Sequence, residues 1–417
     1  MDRENELRSG GVRAAHGSIC FSGGVLVDGP RIQQLLLHCA AALESNDVTL
    51  AQQAMWVLNN IASSQGDPNQ RLTSWLLRAL VARACRLCAP AGAAMEFLER
   101  GAPRGRAMSV TELADYVDLT PWHRFGFTAS NAAILRAVAG RDAVHVVDLS
   151  VTHCMQWPTL IDVLSKRPGG APALRITVPS VRPAVPPPLG VSSEELGLRL
   201  TNFAKSKGVQ LEFNVVESAT AASSRKKKQT TLCQELASVL SDPPSLRLRD
   251  GEALIVNCQS WLRHVAPDSR DFFLDAVRAL NPCLVTVTDE DADLDSPSLA
   301  SRMAGCFNFH WILLDALEMS APKNSPRRLE QEAAVGRKIE SVISEDGAER
   351  SESGARLAER MMRKEFAGVG FDEEEAAEVR RLLSEHATGW GVKREGDMLV
   401  LTWKGHGAVF TSAWTPS

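Results

Sequence analysis

Apolar residues recur at helical spacing through the first third of the chain. Ile32, Leu35, Leu36, Cys39 and Leu43 form one stripe, behind a Pro30 suited to a first helical turn. Leu50, Ala54, Val57, Leu58 and Ile61 form a second, and Leu72, Trp75, Leu76, Ala79 and Leu80 a third. Ser109 and Glu112 make a capping-box pattern ahead of Leu113, Tyr116 and Val117. Thr120-Pro121 then restarts a helix, with proline expected at its first position. No strand pattern interrupts this stretch, so residues 25–120 are expected to form a helical layer.

The period changes at Ala143. Val144-His145-Val146-Val147-Asp148-Leu149 is a short, mostly apolar, β-branched run of the kind found in buried parallel strands. Four more follow, at Ala173–Val178, Leu211–Val216, Ala253–Cys258 and Cys283–Thr288. Helical stretches separate them. One runs from near Gln156 to Arg167-Pro168-Gly169-Gly170, and one from Ser192 through Leu196, Leu200 and Phe203 to Gly208. Another carries Phe272, Ala276, Val277 and Leu280. Alternation of this length implies βαβ units and a parallel sheet. Ser296-Pro297 and Ser325-Pro326 read as further helix starts, and the charged helix from Ser325 to about 345 is expected to join the helical layer. Trp390–Arg394, Met398–Trp403 and Ala408–Trp414, separated by Gly-containing turns, read as a terminal antiparallel meander. The expected fold is therefore α/β: a Rossmann-like, methyltransferase-type mixed sheet of five parallel strands plus a C-terminal antiparallel hairpin, under an α-helical cap.

Composition narrows the class. A chain of 417 residues exceeds what one core usually fills, so two packed subdomains are expected. No apolar run approaches the roughly 18 residues of a membrane span. Met1–Gly24 is polar and Gly-rich without an apolar leader segment, so residues 1–23 are expected to be disordered and the protein intracellular. Nine scattered cysteines then read as small buried hydrophobes. A net charge of −4 does not favour wholesale capture of nucleic acid, leaving a local basic patch for that role.

Several ordered blocks carry a resemblance. Pro121 to Ile134, then Val144-His145-Val146-Val147-Asp148, then Gln156-Trp157-Pro158-Thr159-Leu160 resemble the VHIID block of the GRAS (scarecrow-like) family, over residues 121–180. The preceding helices resemble its first leucine-rich region, and residues 189–221 its second. Residues 250–343, with Phe272-Phe273-Leu274, Arg302 and Phe307–Leu317, are similar to its PFYRE block. Residues 346–414, with Trp390, Trp403-Lys404 and Ser412-Ala413-Trp414, match its SAW block. The resemblance spans residues 24–414. It implies a plant nuclear regulator of transcription, acting through DNA-binding transcription factors and as a homodimer or a heterodimer with another family member. There are departures: His153-Cys154 stands where Gln-Gly is usual, and the RVER stretch survives only as Glu349-Arg350-Ser351-Glu352. The acidic N-terminal motif of the family's growth-repressor branch is missing, so a hormone-triggered degradation role is not supported.

The alternative function is an active S-adenosylmethionine-dependent methyltransferase. Such a fold needs a glycine-rich turn after its first strand and a carboxylate ending its second. Here Leu149 to Pro158 contains no glycine, and the second strand ends in Val178-Pro179-Ser180-Val181-Arg182. No cofactor is expected. Asp148, Ser150 and His153 lie close in sequence, but without a nucleophile elbow a hydrolytic triad loses to a loop-capping role for Asp148. Cys85 and Cys88 have zinc-ligand spacing without a second pair, so no metal is expected. Trp75, Trp122, Trp157, Trp311, Trp390, Trp403 and Trp414 read as core.

Two basic groups remain. Arg225-Lys226-Lys227-Lys228, in a polar loop from Ala219 to Thr231, fits a nuclear-import signal or an ordinary solvated loop, and the family resemblance favours import. Lys323, Arg327, Arg328, Arg337, Lys338, Arg356, Arg360, Arg363 and Lys364 would line a groove for double-stranded DNA if their two helices lay side by side. The interspersed Glu330, Glu332, Glu340, Glu349 and Glu359 equally fit a salt-bridged surface. The stripes of the first three helices, and the Leu196, Leu200, Phe203 face, are expected to be core or partner grooves.

Overall fold

The structure, a computed structural model, describes residues 29–88, 107–151, 154–180, 189–217, 240, 243–344 and 350–417. The three expected stripes become α1 (Gly29–Glu44), α2 (Val48–Ile61) and α3 (Pro68–Cys88). The capping box is present at α4 (Val110–Asp118), where Ser109 and Glu112 satisfy each other's backbone amides. Helix α5 (Trp122–Ala137) starts one residue later than expected, with Pro121 at its cap rather than inside its first turn.

The five apolar runs become β1 (Ala143–Asp148), β2 (Ala173–Pro179), β3 (Leu211–Val216), β4 (Ala253–Gln259) and β5 (Leu284–Glu290). They alternate with α6 (Trp157–Ser165), α7 (Ser193–Ser206), the single turn α8 (Pro243–Leu246) and α9 (Arg270–Ala279). Helices α10 (Leu299–Ser320), α11 (Pro326–Ser344), α12 (Gly354–Arg363) and α13 (Glu373–Leu383) follow, with the short β6 (Phe366–Gly368) after α12. The meander is β7 (Trp390–Glu395), β8 (Met398–Trp403) and β9 (His406–Pro416). All join one sheet in the order β3-β2-β1-β4-β5-β9-β8-β7, with β6 on β9. The first five strands are parallel and β9 runs antiparallel to β5. This is the expected methyltransferase-type α/β sheet, closed by the expected antiparallel meander, with β6 added on β9.

Successive side chains on β1 serve opposite faces. Val144 and Val146 enter the larger core, shared with the cap, while Val147 enters the core on the other face. On the cap side, α5 lies so close to the sheet that a Cβ at Gly126 would sit 2.6 Å from both Gln259 Nε2 and Thr288 Cγ2.

The cap consists of α1, α2, α3, α10 and α11, which pack on one another. Helix α11 joins it as expected. Helix α10, whose layer the sequence pattern left open, joins it too. Its start is displaced: Ser298, not Ser296, caps it by accepting from Ser301 N. Arg302 holds the carbonyls of Ser296 and Pro297 at 2.8 and 2.9 Å, and Glu44 at the end of α1 accepts Leu299 N, which together fix the later start.

A four-charge cluster ties three cap helices together. Arg71 of α3 and Arg328 of α11, both buried, share Glu318 of α10 and Glu332 of α11. Truncating one member strands its partners, at a cost on the order of 3–5 kcal/mol. The α3–α11 crossing depends on Gly336, where an added Cβ would lie 2.2 Å from Trp75 Cε3. Gly336→Val should lower stability by about 1–3 kcal/mol through overpacking, read as a reduced urea midpoint, whereas Gly140→Ala, with open space around it but positive φ, should cost about 1 kcal/mol.

Candidate functional site

In open α/β sheets, ligands bind beyond the carboxyl ends of the strands. At that end of β1 the structure places a buried polar network centred on Asp148. Its Oδ1 accepts from Ser150 N and Asn257 Nδ2, each at 3.0 Å. Its Oδ2 accepts from Trp157 Nε1 at 2.8 Å and Ser150 Oγ at 3.1 Å, with Cys154 Sγ at 3.8 Å. Asn257 on β4 also donates to Gln156 Oε1 at 3.2 Å and accepts from Thr286 Oγ1 of β5 at 2.8 Å. Gln156 Nε2 donates to Asn131 Oδ1 of α5 at 2.9 Å. Asp148, Gln156, Trp157, Asn257 and Thr286 are fully buried.

The loop backbone is committed as well. Leu149 N and Val151 N donate to the carbonyls of Asn257 and Gln259, continuing the β1–β4 ladder past the strand. The residues present do not fit an S-adenosyl cofactor: no glycine follows Asp148 before Trp157, and the indole fills the space beside the strand end. Asp148 caps its own loop, as its sequence context leads one to expect. His153 lies outside the described residues, so the Asp148–Ser150–His153 grouping is placed only in its first two members. Pro158 occupies the first turn of α6.

His145 points to the other sheet face, where Nε2 meets Thr177 Oγ1 at 2.8 Å. Burial, reinforced by Arg175 and Arg249, lowers its pKa to about 3, so the ring is neutral. Ser412, Ala413 and Trp414 lie on β9 opposite Val287, Thr286 and Val285. Trp414 Nε1 donates to Ser412 Oγ at 2.9 Å.

The basic residues are largely engaged in ion pairs. Lys323 pairs with Glu318, Arg327 with Asp115 and Glu330, and Arg328 with Glu318 and Glu332. Lys338 pairs with Glu290 on β5, which also takes Arg263 at 2.7 Å and Ser351 Oγ at 3.1 Å. Arg356 pairs with Asp293 and Asp295, Arg360 with Asp271 and Glu352, and Lys364 with Asp275. Arg337 is partly buried and Arg363 exposed. Helix α11 packs on α3, α10 and α4, whereas α12 packs on β6 and β9. Burial alone would raise the Glu352 carboxyl, but Arg360 and Arg270 outweigh it and hold it below the usual range. Arg225 to Lys228 lie outside the described residues.

The cap stripes face mainly inward: Ile32, Leu36, Leu58, Leu72, Leu76 and Leu80 are buried, whereas Leu50, expected on the second stripe, is exposed. Leu196 and Leu200 are buried under α7, and Phe203 packs partly buried beside them. Trp157, Trp403 and Trp414 are core, as expected, while Trp75, Trp122, Trp311 and Trp390 are partly buried against it. Burial pushes the Cys39 and Cys306 thiols up to about 12, matching their reading as small hydrophobes. Cys85 lies on α3; the side chain of Cys88 is outside the described residues. Among the described residues no His, Cys, Asp or Glu group could hold a metal ion.

Sequence reasoning missed Trp56. It stands 70% exposed on α2, with Val48 at 46% and Leu50 at 42%. The helix carries no charged side chain, so this face is apolar and amide-rich. The available signal was its position on the stripe's outer side, opposite Ala54 and Leu58.

The comparisons with known proteins extend over nearly the whole chain. Residues 32–415 match the model of the GRAS domain family. Scarecrow-like protein 32 of Arabidopsis thaliana is 44% identical over 399 residues, covering 92% of this chain and 93% of that protein. Scarecrow-like transcription factor PAT1 of the same plant is 28% identical, covering 91% and 75%. The crystal structure of SCL7 from Oryza sativa superposes with a TM-score of 0.74 at 23% identity, covering 92% of this chain and 99% of that one, which shows the fold.

Asp148→Asn keeps the shape of the network's centre but turns a donor toward donors. It should cost about 2–4 kcal/mol in urea unfolding, against about 1 kcal/mol for Ser150→Ala, which removes one hydroxyl. Equal small losses from both would contradict the network's role.

Proposed function

The chain belongs to the GRAS domain family, and from that premise we propose that it is a non-enzymatic regulator of transcription in plant development or signalling, working in the nucleus through protein partners. The observation that carries the non-enzymatic half is the end of β1. There Asp148, Asn257, Gln156 and Trp157 satisfy one another, and the backbone that would cradle a cofactor is bonded to β4. The alternative, an active methyltransferase, has the strand order in its favour and the chemistry of this loop against it.

The partners proposed are DNA-binding transcription factors, with a second copy of the chain or another family member as a further partner. The exposed α2 face around Trp56 suits them: large, rigid aromatics at uncharged patches are favoured anchors of protein interfaces. Entry to the nucleus is assigned to Arg225–Lys228. Direct contact with double-stranded DNA is the second reading, carried by exposed Arg363 and the rims of α11 and α12; it would be phosphate-directed and salt-sensitive.

Tethering tests the reading whichever partner is recruited. The full chain fused to an unrelated DNA-binding module should change output from a reporter bearing that module's site in plant cells. Trp56→Asp should reduce the effect at least tenfold if α2 recruits the partner, about 1.4 kcal/mol or more of binding. No change with the tethered, nuclear, folded chain would overturn the proposal. Fluorescence anisotropy against mixed duplex DNA across a salt series separates the readings: affinity falling linearly with log salt supports direct contact, and no binding at low salt removes it.

A further inference from the structure

We propose that Ser325 is a phosphorylation site for a proline-directed protein kinase, and that the phosphate transfers Arg327 from α4 to the start of α11. Ser325 sits in the turn between α10 and α11, in the sequence Lys323-Asn324-Ser325-Pro326-Arg327. Pro322, Lys323, Asn324 and Pro326 are exposed and Ser325 is partly so. Its backbone is held at both ends of the turn: Ser325 N donates to Pro322 O and Leu329 N to Ser325 O, each at 3.0 Å. Its hydroxyl, by contrast, makes no hydrogen bond among the described residues, although a serine in this position ordinarily caps the helix.

The chain's other Ser/Thr-Pro dipeptides are all compromised. Thr120 is 1% exposed. Ser296 Oγ already accepts Ser298 N at 3.3 Å, and Asp293 and Asp295 precede it. Thr415 is paired with Ala367 between β9 and β6. Only Ser325 joins an unengaged hydroxyl, a following proline, an irregular turn and flanking cations.

The reaction needs a nucleoside triphosphate and a kinase. Ser325 Oγ attacks the γ-phosphorus as its proton passes to a carboxylate of the kinase. The Oγ–P bond forms, the bond from the γ-phosphorus to the β,γ-bridging oxygen breaks, and the nucleoside diphosphate leaves. The product carries a charge of about −1.5 to −2. Lys323 and Arg327 stand two residues away on either side, and the free amides of the first turn of α11 favour the anion further. Arg327 now reaches Asp115 of α4 at 3.2 Å and Glu330 at 3.7 Å. With the dianion nearer in sequence and doubly charged, Arg327 leaves Asp115. The bond from Gln331 Nε2 to Tyr116 O, at 2.7 Å, then remains to tie the two helices.

Treating the folded full chain with a proline-directed serine/threonine kinase and labelled nucleoside triphosphate, followed by peptide mapping, tests the site. About one phosphate per chain should appear at Ser325, none at Ser296 or Thr120, and the label should be lost in Ser325→Ala. No label at Ser325 overturns the proposal. So does labelling of a peptide spanning 320–331 with the folded chain refractory, because the fold then withholds the hydroxyl. Hydrogen exchange tests the consequence: amides of 110–118 should exchange severalfold faster in the phosphorylated chain and in Arg327→Ala. Unchanged exchange in the phosphorylated chain overturns the Arg327 transfer.

Discussion

The carboxylate of Asp148 is buried at the end of β1 with no Lys or Arg paired to it among the described residues. A charge in that position is tolerable only if hydrogen-bond donors converge on it, and the local structure follows from that requirement. Ser150 supplies an amide and a hydroxyl, which bends the loop back at once. Trp157 supplies its indole N–H, which fixes where α6 begins and which side of it faces the sheet. Asn257 supplies an amide from β4, then passes the constraint to Gln156, Asn131 and Thr286, so that three strands and two helices are held in register by one connected set of polar contacts. The end of β1 is thereby taken up by internal polar contacts.

The cap is organised by different means. Its inner stripes bury leucines, but the relative placement of α3, α10 and α11 is specified by Arg71, Glu318, Arg328 and Glu332 and by the close approach of Trp75 to Gly336. Lys338 and Glu290 then link cap to sheet, beside Arg263 and Ser351. Such pairs add little net stability over apolar packing, yet each is costly to break singly, so they favour one arrangement of helices over its neighbours. Helix α2 packs on α1 and α3 of this cap and leaves Trp56 exposed.

Much of this was legible in the sequence. Four of the five runs, β1, β2, β4 and β5, are buried along nearly their whole length and read as mostly apolar stretches, whereas the edge strand β3 is half-buried beyond Leu211. The capping box at Ser109 and the loop-capping role of Asp148 depend on residues within ten positions, where sequence distance is a fair guide. What escaped was set by contacts between distant segments. Helix α10 is buried nearly all round, and so shows no one-sided stripe to announce its neighbours in the cap. The later start of that helix is imposed by Glu44, more than 250 positions away. The carboxylates that engage Lys338, Arg356, Arg360 and Lys364 come from β5, its following loop and α9. Asn257 was visible as a polar residue inside an apolar run, but its role could not be assigned without knowing that β4 lies beside β1.

The most direct test of the account is calorimetric titration of the purified, folded chain with S-adenosylmethionine. If the Asp148 network fills the cofactor space, no saturable heat appears even at millimolar ligand, and the thermal unfolding midpoint does not move. Saturable binding at micromolar concentration with a raised midpoint would show that the strand end opens to a cofactor, and would contradict the reading of this protein as a scaffold without chemistry of its own.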